Sequence, residues 1–119
     1  MLLAALSVTA AAQTPADRRD VRRGNRDFRG QNFKEAEIDY RKAILRDSTS
    51  VKANYNLANT LFRLEDYQEA EKYIDKAESA AENAGPSAEV YFNKGDIALK
   101  NQNYNAAVDA LKQALRLNP

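Results

Sequence analysis

A recurring spacing restricts what this chain can fold into more than its composition does. In the stretch Val51 to Ala84, the residues Ala58, Tyr67, Ala70 and Ala77 match Gly24, Phe33, Ala36 and Ala43 at positions 34 residues earlier. At positions 37 residues later they match Gly95, Tyr104, Ala107 and Ala114, the extra length being taken up by "GPS" at Gly85 to Ser87. Within the middle unit, Tyr55, Leu57, Ala58, Leu61 and Phe62 recur at helical spacing, and Tyr67, Ala70, Ile74 and Ala77 do so after a break. Apolar residues on a 3.6-residue period make an amphipathic helix. Each unit therefore reads as two helices and a tight turn. Neither helix alone can bury its stripe, so part is buried within the pair and the remainder needs a neighbouring unit.

The aligned residues have distinct tasks in such a stack. The small residues Gly24, Ala58 and Gly95 let two helices approach closely. Phe33, Tyr67 and Tyr104 open the second helices and wedge against the first. Ala36, Ala70 and Ala107 suit the contact inside a pair, and Ala43, Ala77 and Ala114 the contact to the next pair. Asn32 with Glu35, and Asp66 with Glu69, read as capping boxes, and Ser50 as an N-cap. Phe33, Ala36, Ile38, Tyr40, Ala43 and Ile44 supply the apolar positions of the second helix. The helix from Tyr67 is expected to run to about Asn83, with Gly85 stopping it and Pro86 in the first turn of the next. In the last helix Val108, Leu111, Leu115 and Leu117 are apolar. No helix follows to cover Leu111 and Leu115, so the expectation is a longer native chain, or a face that packs on a partner or a second copy.

A period near 34 residues built from helical pairs is the mark of the tetratricopeptide repeat, and Asp17 to Pro119 resembles that family. The fold class expected is all-α, a right-handed solenoid of three helix-turn-helix repeats and six helices, with repeats at about residues 17–50, 51–84 and 88–119. The expected closing proline appears only at Pro119, Ser48 holding its place in the first repeat. The expected aromatic near the start is Tyr91 in the third repeat, and Asp20 stands there in the first. The resemblance implies a concave groove lined by the first helix of each pair. Its residues would be Val21, Asn25, Phe28 and Arg29; then Tyr55, Asn56, Asn59, Phe62 and Arg63; then Phe92, Asn93, Asp96, Leu99 and Lys100. Aromatics would supply contact area, and asparagine amides bonds to an extended peptide's N–H and C=O. Arg29, Arg63 and Lys100 stand at equivalent places, a basic rail suited to carboxylates. A second reading makes Phe28, Phe62 and Leu99 core between adjacent first helices. The family's carboxylate clamp for chaperone tails would fall on Val21, Asn25, Asn56, Glu89 and Asn93. The amides match, the cations are gone, and Glu89 reverses the sign, which argues against a co-chaperone of that kind.

Composition narrows the chemistry. There is no His and no Cys, which removes the usual general base near neutral pH, the commonest metal ligands and any disulfide. The four glycines form no phosphate-binding loop. No catalytic residues, cofactor or metal site are expected, and the chain reads as non-enzymatic. A net charge of +1 argues against nucleic-acid binding by global charge. The arginines from Arg18 to Arg29, interleaved with Asp17, Asp20 and Asp27, read as the solvated face of a terminal helix. The alternative is a patch for phosphate or an acidic partner, and with it a weak nucleic-acid binder. Met1 to Ala16 stands apart: "MLLAALSVTAAAQ" carries no charged side chain and ends in small residues. It reads as a signal peptide with a cut after Ala12, its missing basic start pointing to an upstream initiation site. The other reading is an Ala-rich helix on the end of the solenoid.

A narrower resemblance rests on "DRRDVRRGNRDF", "NFKEAEIDYRKAILRDSTS", "NYNLANTLFR" and "VYFNKGDIALKNQNYNAAVDALKQALRLNP". These segments are similar to the tetratricopeptide protein of the bacterial aerotolerance (Bat) operon. That resemblance implies an exported, periplasmic or membrane-associated scaffold in the company of von Willebrand A-type membrane proteins and a MoxR-type ATPase. The function expected is thus a protein-interaction scaffold that holds a partner segment in its groove. Self-association through the uncapped C-terminal helix is the alternative.

Overall fold

The computed structural model describes residues 15–82 and 85–119. The signal-peptide reading falls, up to Thr14, outside the described residues. Six α-helices follow one another: α1 (Pro15–Arg29), α2 (Phe33–Arg46), α3 (Val51–Arg63), α4 (Tyr67–Ala80), α5 (Ala88–Lys100) and α6 (Tyr104–Leu117). They pack as three consecutive hairpins, and each hairpin meets the next where α2 touches α3 and α4 touches α5.

Local chemistry sets the boundaries. The Ser50 hydroxyl accepts from the Ala53 N–H at 3.1 Å and starts α3. Ser87 does the same for α5 through the Val90 N–H at 3.3 Å, so Pro86 lies outside the helix rather than in its first turn. The Asp66 carboxylate accepts from the Glu69 N–H at 3.4 Å. The reciprocal half of that capping box does not form, because the Asp66 N–H already donates to the Leu61 carbonyl at 2.9 Å. Asn32 likewise spends its N–H on the Asp27 carbonyl, at 2.8 Å, and its side chain caps nothing. Helix α4 ends at Ala80, short of Asn83. There the N–H groups of Ala81 and Glu82 bond carbonyls three residues back, Glu78 and Ser79, at 3.2 Å each, tightening the last turn until it closes.

The turn inside each hairpin is the same device three times. Gln31, Glu65 and Gln102 adopt φ of 62°, 62° and 60°. The next residue's N–H reaches back to the carbonyl of Asp27, Leu61 or Ala98, at 2.8–2.9 Å. This is a Schellman closure with a left-handed residue at its corner. A non-glycine residue there carries backbone strain of roughly 1 kcal/mol.

The close approach expected at the small residues is present. A Cβ built on Gly24 would lie 2.5 Å from the Tyr40 ring, and one on Gly95 2.8 Å from Leu111. Ala36, Ala58, Ala70 and Ala107 are fully or almost fully buried at the same level. Phe33 meets Phe28 edge-on at 5.2 Å and Tyr67 meets Phe62 at 5.5 Å. Phe28 and Phe62 therefore pack chiefly within their own hairpins. The third repeat has Leu99 in place of the ring, and Tyr104 is left 61% exposed. Ile38 is a correction: it is 54% exposed. The buried places of α2 are Ala36, Asp39, Tyr40 and Ala43, and Asp39, not Ile38, fills the i+3 position. Leu111 packs on Gly95, whereas Val108, Leu115 and Leu117 remain exposed.

The curvature follows from which helices meet. The backbones of α1 and α3 approach each other, as do those of α3 and α5. Among the described residues α2 and α4, and α4 and α6, do not come within 8 Å at their Cα atoms. The first helices therefore form the crowded inner side of the stack and the second helices the splayed outer side.

Two consequences are measurable. Gly24→Ala should destabilise the chain by about 1–3 kcal/mol, because the buried Tyr40 ring cannot withdraw. Glu65→Gly should stabilise it by about 1 kcal/mol by relieving the left-handed corner. Urea denaturation followed by circular dichroism reads both, and equal signs would contradict the geometry. The second concerns Asp39, whose Oδ2 is buried and finds no hydrogen-bond partner. Burial pushes its carboxyl up from 3.8 to about 6, Asp27 pushes the same way, and Arg23 and Lys42 oppose. A carboxyl raised in the folded state contributes stability below its unfolded pKa and loses it as pH rises through the folded value. The melting temperature of wild type relative to Asp39→Asn should thus fall between about pH 4 and pH 7, and a constant difference would refute the shift.

Candidate functional site

The inner face carries a polar seam that crosses from helix to helix. Asn25 projects from α1 one residue past the Gly24 gap, and the ring that fills the gap reaches it. The Tyr40 hydroxyl donates to Asn25 Oδ1 at 2.6 Å. The same oxygen accepts from Asn56 Nδ2 of α3 at 3.1 Å. Burial pushes the Tyr40 hydroxyl far up, so it stays a donor. One hairpin further on, Asn93 Nδ2 of α5 donates to the Tyr55 hydroxyl at 2.7 Å and to Asn59 Oδ1 at 2.9 Å. These bonds tie α1 to α3 and α3 to α5 across the repeats.

Each amide is thereby half engaged. Among the described residues Asn25 and Asn59 each keep their NH2 group unused, and Asn56 and Asn93 keep their carbonyl acceptor. All four are partly exposed. The seam thus presents two NH2 groups and two carbonyl oxygens held in place by bonds behind them, donors and acceptors of the kind an extended main chain needs.

Three clefts open along this seam, and Asn25 lines every one. The first, about 430 Å³, lies against α1 between Arg19, Arg22, Arg23, Arg26 and Arg29. The second, about 160 Å³, is floored by Phe28 and Tyr40 and walled by Arg29, Asn56 and Asn59. The third, about 490 Å³, lies between α3 and the start of α5, where Tyr55, Lys52 and Glu89 line it. Sharing Asn25, they lie along the inner side of α1, α3 and α5 as one trough.

The groove residues expected from the sequence fall into three groups. Asn25, Asn56, Asn59, Asn93 and Tyr55 are brought together in the seam. Phe28 and Arg29 line the second cleft, whereas Phe62 is turned to Tyr67. Phe92, Asp96 and Lys100 are exposed on α5 and line none of these three clefts. The basic rail is not three equivalent cations. The Arg63 guanidinium lies 4.7 Å from the Phe33 ring centre and 5.8 Å from that of Phe28. It is stacked onto the preceding repeat, although it is exposed like Arg29 and Lys100. Tyr40 was assigned only to the apolar core, yet it positions Asn25. The signal that would have found it is its place opposite Gly24, where a long ring can cross the hairpin.

Behind the seam, ion pairs join the repeats on other faces. Lys94 of α5 meets Asp75 at 3.2 Å and Glu78 at 3.0 Å on α4. Asn103 Nδ2 donates to Glu71 at 2.9 Å, and Asn101 donates to the other oxygen of that carboxylate. Among the described residues no group of three acidic side chains is placed to hold a metal ion, and no helix is long and apolar enough to cross a membrane.

Comparison with known proteins places this geometry. The tetratricopeptide repeat family model matches residues 49–119. No curated protein sequence matches the chain. Among solved structures, the second tetratricopeptide domain of Spaghetti (RPAP3), bound to an HSP90 peptide, superposes with a TM-score of 0.81 at 20% identity, covering 87% of this chain and 94% of that one. The Arabidopsis OM64 tetratricopeptide domain gives 0.82 at 22% identity, covering 91% and 87%. YrrB, a tetratricopeptide protein with an unusual peptide-binding site, gives 0.77 at 24% identity, covering 83% of this chain and 50% of that one.

The contrast between Arg63 and Lys100 can be tested directly. Arg63→Ala should cost about 1 kcal/mol through lost stacking on Phe33 and lost stem packing. Lys100→Ala should leave the melting temperature unchanged. Equal effects of the two variants, read by thermal denaturation, would restore the rail of like cations.

Proposed function

Because the chain belongs to the tetratricopeptide repeat family, we propose that it is a non-enzymatic interaction module that holds an extended segment of a partner protein along α1, α3 and α5. The observation that carries this is the seam of four half-engaged amides beneath three clefts sharing Asn25. Pre-positioned amides lower the ordering cost of binding, since their rotamers are already held by Tyr40 and Tyr55. Two of the similar structures are of proteins described by their peptide binding, which supports the same reading. The places of the family's carboxylate clamp hold Val21, Asn25, Asn56, Glu89 and Asn93 here, so an anionic chain terminus would find no cation at those places.

The narrower placement is an exported scaffold of an aerotolerance-type assembly, with von Willebrand A-type membrane proteins as partners. Its support is the segment resemblance described above. A second reading, self-association, is favoured by the exposed Tyr104, Val108, Leu115 and Leu117 of α6. Sedimentation that shows a monomer at millimolar concentration would remove it.

The deciding experiment has two steps. The chain is used as bait on a native envelope fraction, and the captured protein is cut into overlapping peptides. The binding peptide is then titrated into labelled protein by NMR. The side-chain amide resonances of Asn25, Asn56, Asn59 and Asn93 should shift together. A footprint on the outer face around Tyr73 and Arg41 instead would overturn the groove.

A further inference from the structure

Helix α1 is cationic in a way that the rest of the chain is not. It holds six arginines and no lysine, whereas the remaining residues hold eight lysines and four arginines. An ammonium group solvates a helix face as well as a guanidinium does, but only the guanidinium presents a planar fork that takes a carboxylate on two N–H groups. Arg19, Arg22, Arg26 and Arg29 follow one another at three and four residues, which sets them on one stripe of the helix, with Arg23 beside it. All five are exposed and line the first cleft, together with the half-engaged amide of Asn25. None of the five has an ion-pair partner among the described residues. Asp20 and Asp27, the acids within this stretch, do not line the cleft. Asp20 is buried and bonded to Arg46 of α2 at 3.0 Å, and Asp27 bears on the buried Asp39 of α2, which the charge of Arg23 also reaches. Like charges at this spacing weaken a helix, and no carboxylate among the residues lining the cleft relieves them.

We propose that the partner segment held by this groove is acidic where it crosses α1, its Asp or Glu side chains seated on the arginines of the first cleft. The proposal rests on the groove reading above and specifies its occupant. The stripe from Arg19 to Arg29 covers about 15 Å of helix at about 1.5 Å per residue, the length of about four or five residues of extended chain. Side chains on one face of an extended chain recur about every 6.6 Å, close to the roughly 5–6 Å between neighbours on the stripe, so carboxylates at alternate positions would each find a guanidinium. The acidic stretch is short, because the cations do not continue along the trough. Lys52 shares the third cleft with Glu89, and Arg63 is stacked on Phe28 and Phe33. That favours a peptide over a nucleic-acid strand, whose phosphates recur at every residue and would run on past α1 without an excess of cations. It also favours several carboxylates over one phosphate, which two guanidinium groups would satisfy. The arginines do not stand at the places of the family's carboxylate clamp, so a free chain terminus is not required.

Fluorescence anisotropy of the full chain with labelled, end-blocked ten-residue peptides tests this at low and at physiological salt. One peptide carries three Glu at alternate positions in a Ser/Asn background, one carries Gln at those positions, and one carries a single phosphoserine. A ten-nucleotide thymidine strand is the fourth probe. Wild type should bind the Glu peptide about tenfold more tightly than the Gln peptide, the scale of three exposed charge contacts, and the ratio should shrink as salt rises. Arg19→Gln with Arg22→Gln and Arg26→Gln should erase the preference. Lys34→Gln with Lys112→Gln and Arg116→Gln removes the same charge from exposed positions on α2 and α6 and should keep it. Circular dichroism confirms that the variants are folded. In wild type the Nε–H resonances of the α1 arginines should shift with the Glu peptide and not with the Gln peptide, which reads the site without a variant. Equal binding of the Glu and Gln peptides, or equal loss of preference in both triple variants, would overturn the acidic segment and leave the groove standing. Tighter binding of the phosphoserine peptide or of the thymidine strand would overturn the ligand class. Arginine shifts with none at the Asn59 and Asn93 amides would overturn the groove reading while the arginine cleft stood.

Discussion

Close helix contact at Gly24, Ala58 and Gly95 is the constraint on which the remaining structure depends. A side chain at either glycine would meet Tyr40 or Leu111 well inside contact distance. The absence of one lets the two helices of a hairpin meet on a narrow line. Units joined this way stack with their first helices touching and their second helices apart, and an inner trough is the geometric result. The glycine in the middle of α1 costs helix stability of roughly 1 kcal/mol relative to alanine. The buried ring of Tyr40 offsets it, and that ring carries the hydroxyl that fixes Asn25. A packing necessity and a binding surface are thus linked through one side chain.

The repeat architecture was legible because each unit restates its neighbour. Ala36, Ala70 and Ala107 could be aligned before any coordinates, and all are buried at the same level. Ser50 was legible as a cap because a hydroxyl before an amphipathic run has few other uses. What the sequence concealed were features of backbone geometry and burial that the period itself does not record. The left-handed corners at Gln31, Glu65 and Gln102 carry no glycine to announce them, and once they closed, the backbone N–H groups of Asn32 and Asp66 were no longer available for capping boxes. Asp39 occupies a core place that composition would assign to Ile38, which at two residues on from Ala36 is one short of the i+3 position.

The site was legible in membership and not in state. Alignment to the family's groove positions selected Asn25, Asn56, Asn59 and Asn93, but one-dimensional reasoning gives a residue all of its hydrogen-bonding capacity. In the folded chain half of that capacity is spent on neighbours. Arg63 shows the same limit for charge. Its place in the period equals those of Arg29 and Lys100, yet of the three only Arg63 is stacked on an aromatic pair, Phe28 and Phe33; Lys100 has the equivalent Phe62 and Tyr67 pair in the repeat before it and makes no ring contact among the described residues.

A seam whose amides are held from behind separates affinity from selectivity. Main-chain recognition by Asn25, Asn56, Asn59 and Asn93 is blind to the ligand's side chains, because every peptide carries the same N–H and C=O groups. Selectivity must come from what flanks the seam, and there the molecule has the arginines of α1 and the rings of Phe28, Tyr40 and Tyr55. Exposed charges act mainly on encounter rate and on rejection of wrong partners. The arginines on α1, which have no ion-pair partner among the described residues, are therefore placed to choose among segments that the amides would hold alike. The same division is visible in Lys94, Asp75 and Glu78, which meet away from the trough: the ion pairs that join these repeats leave the α1 arginines of the first cleft unengaged by them.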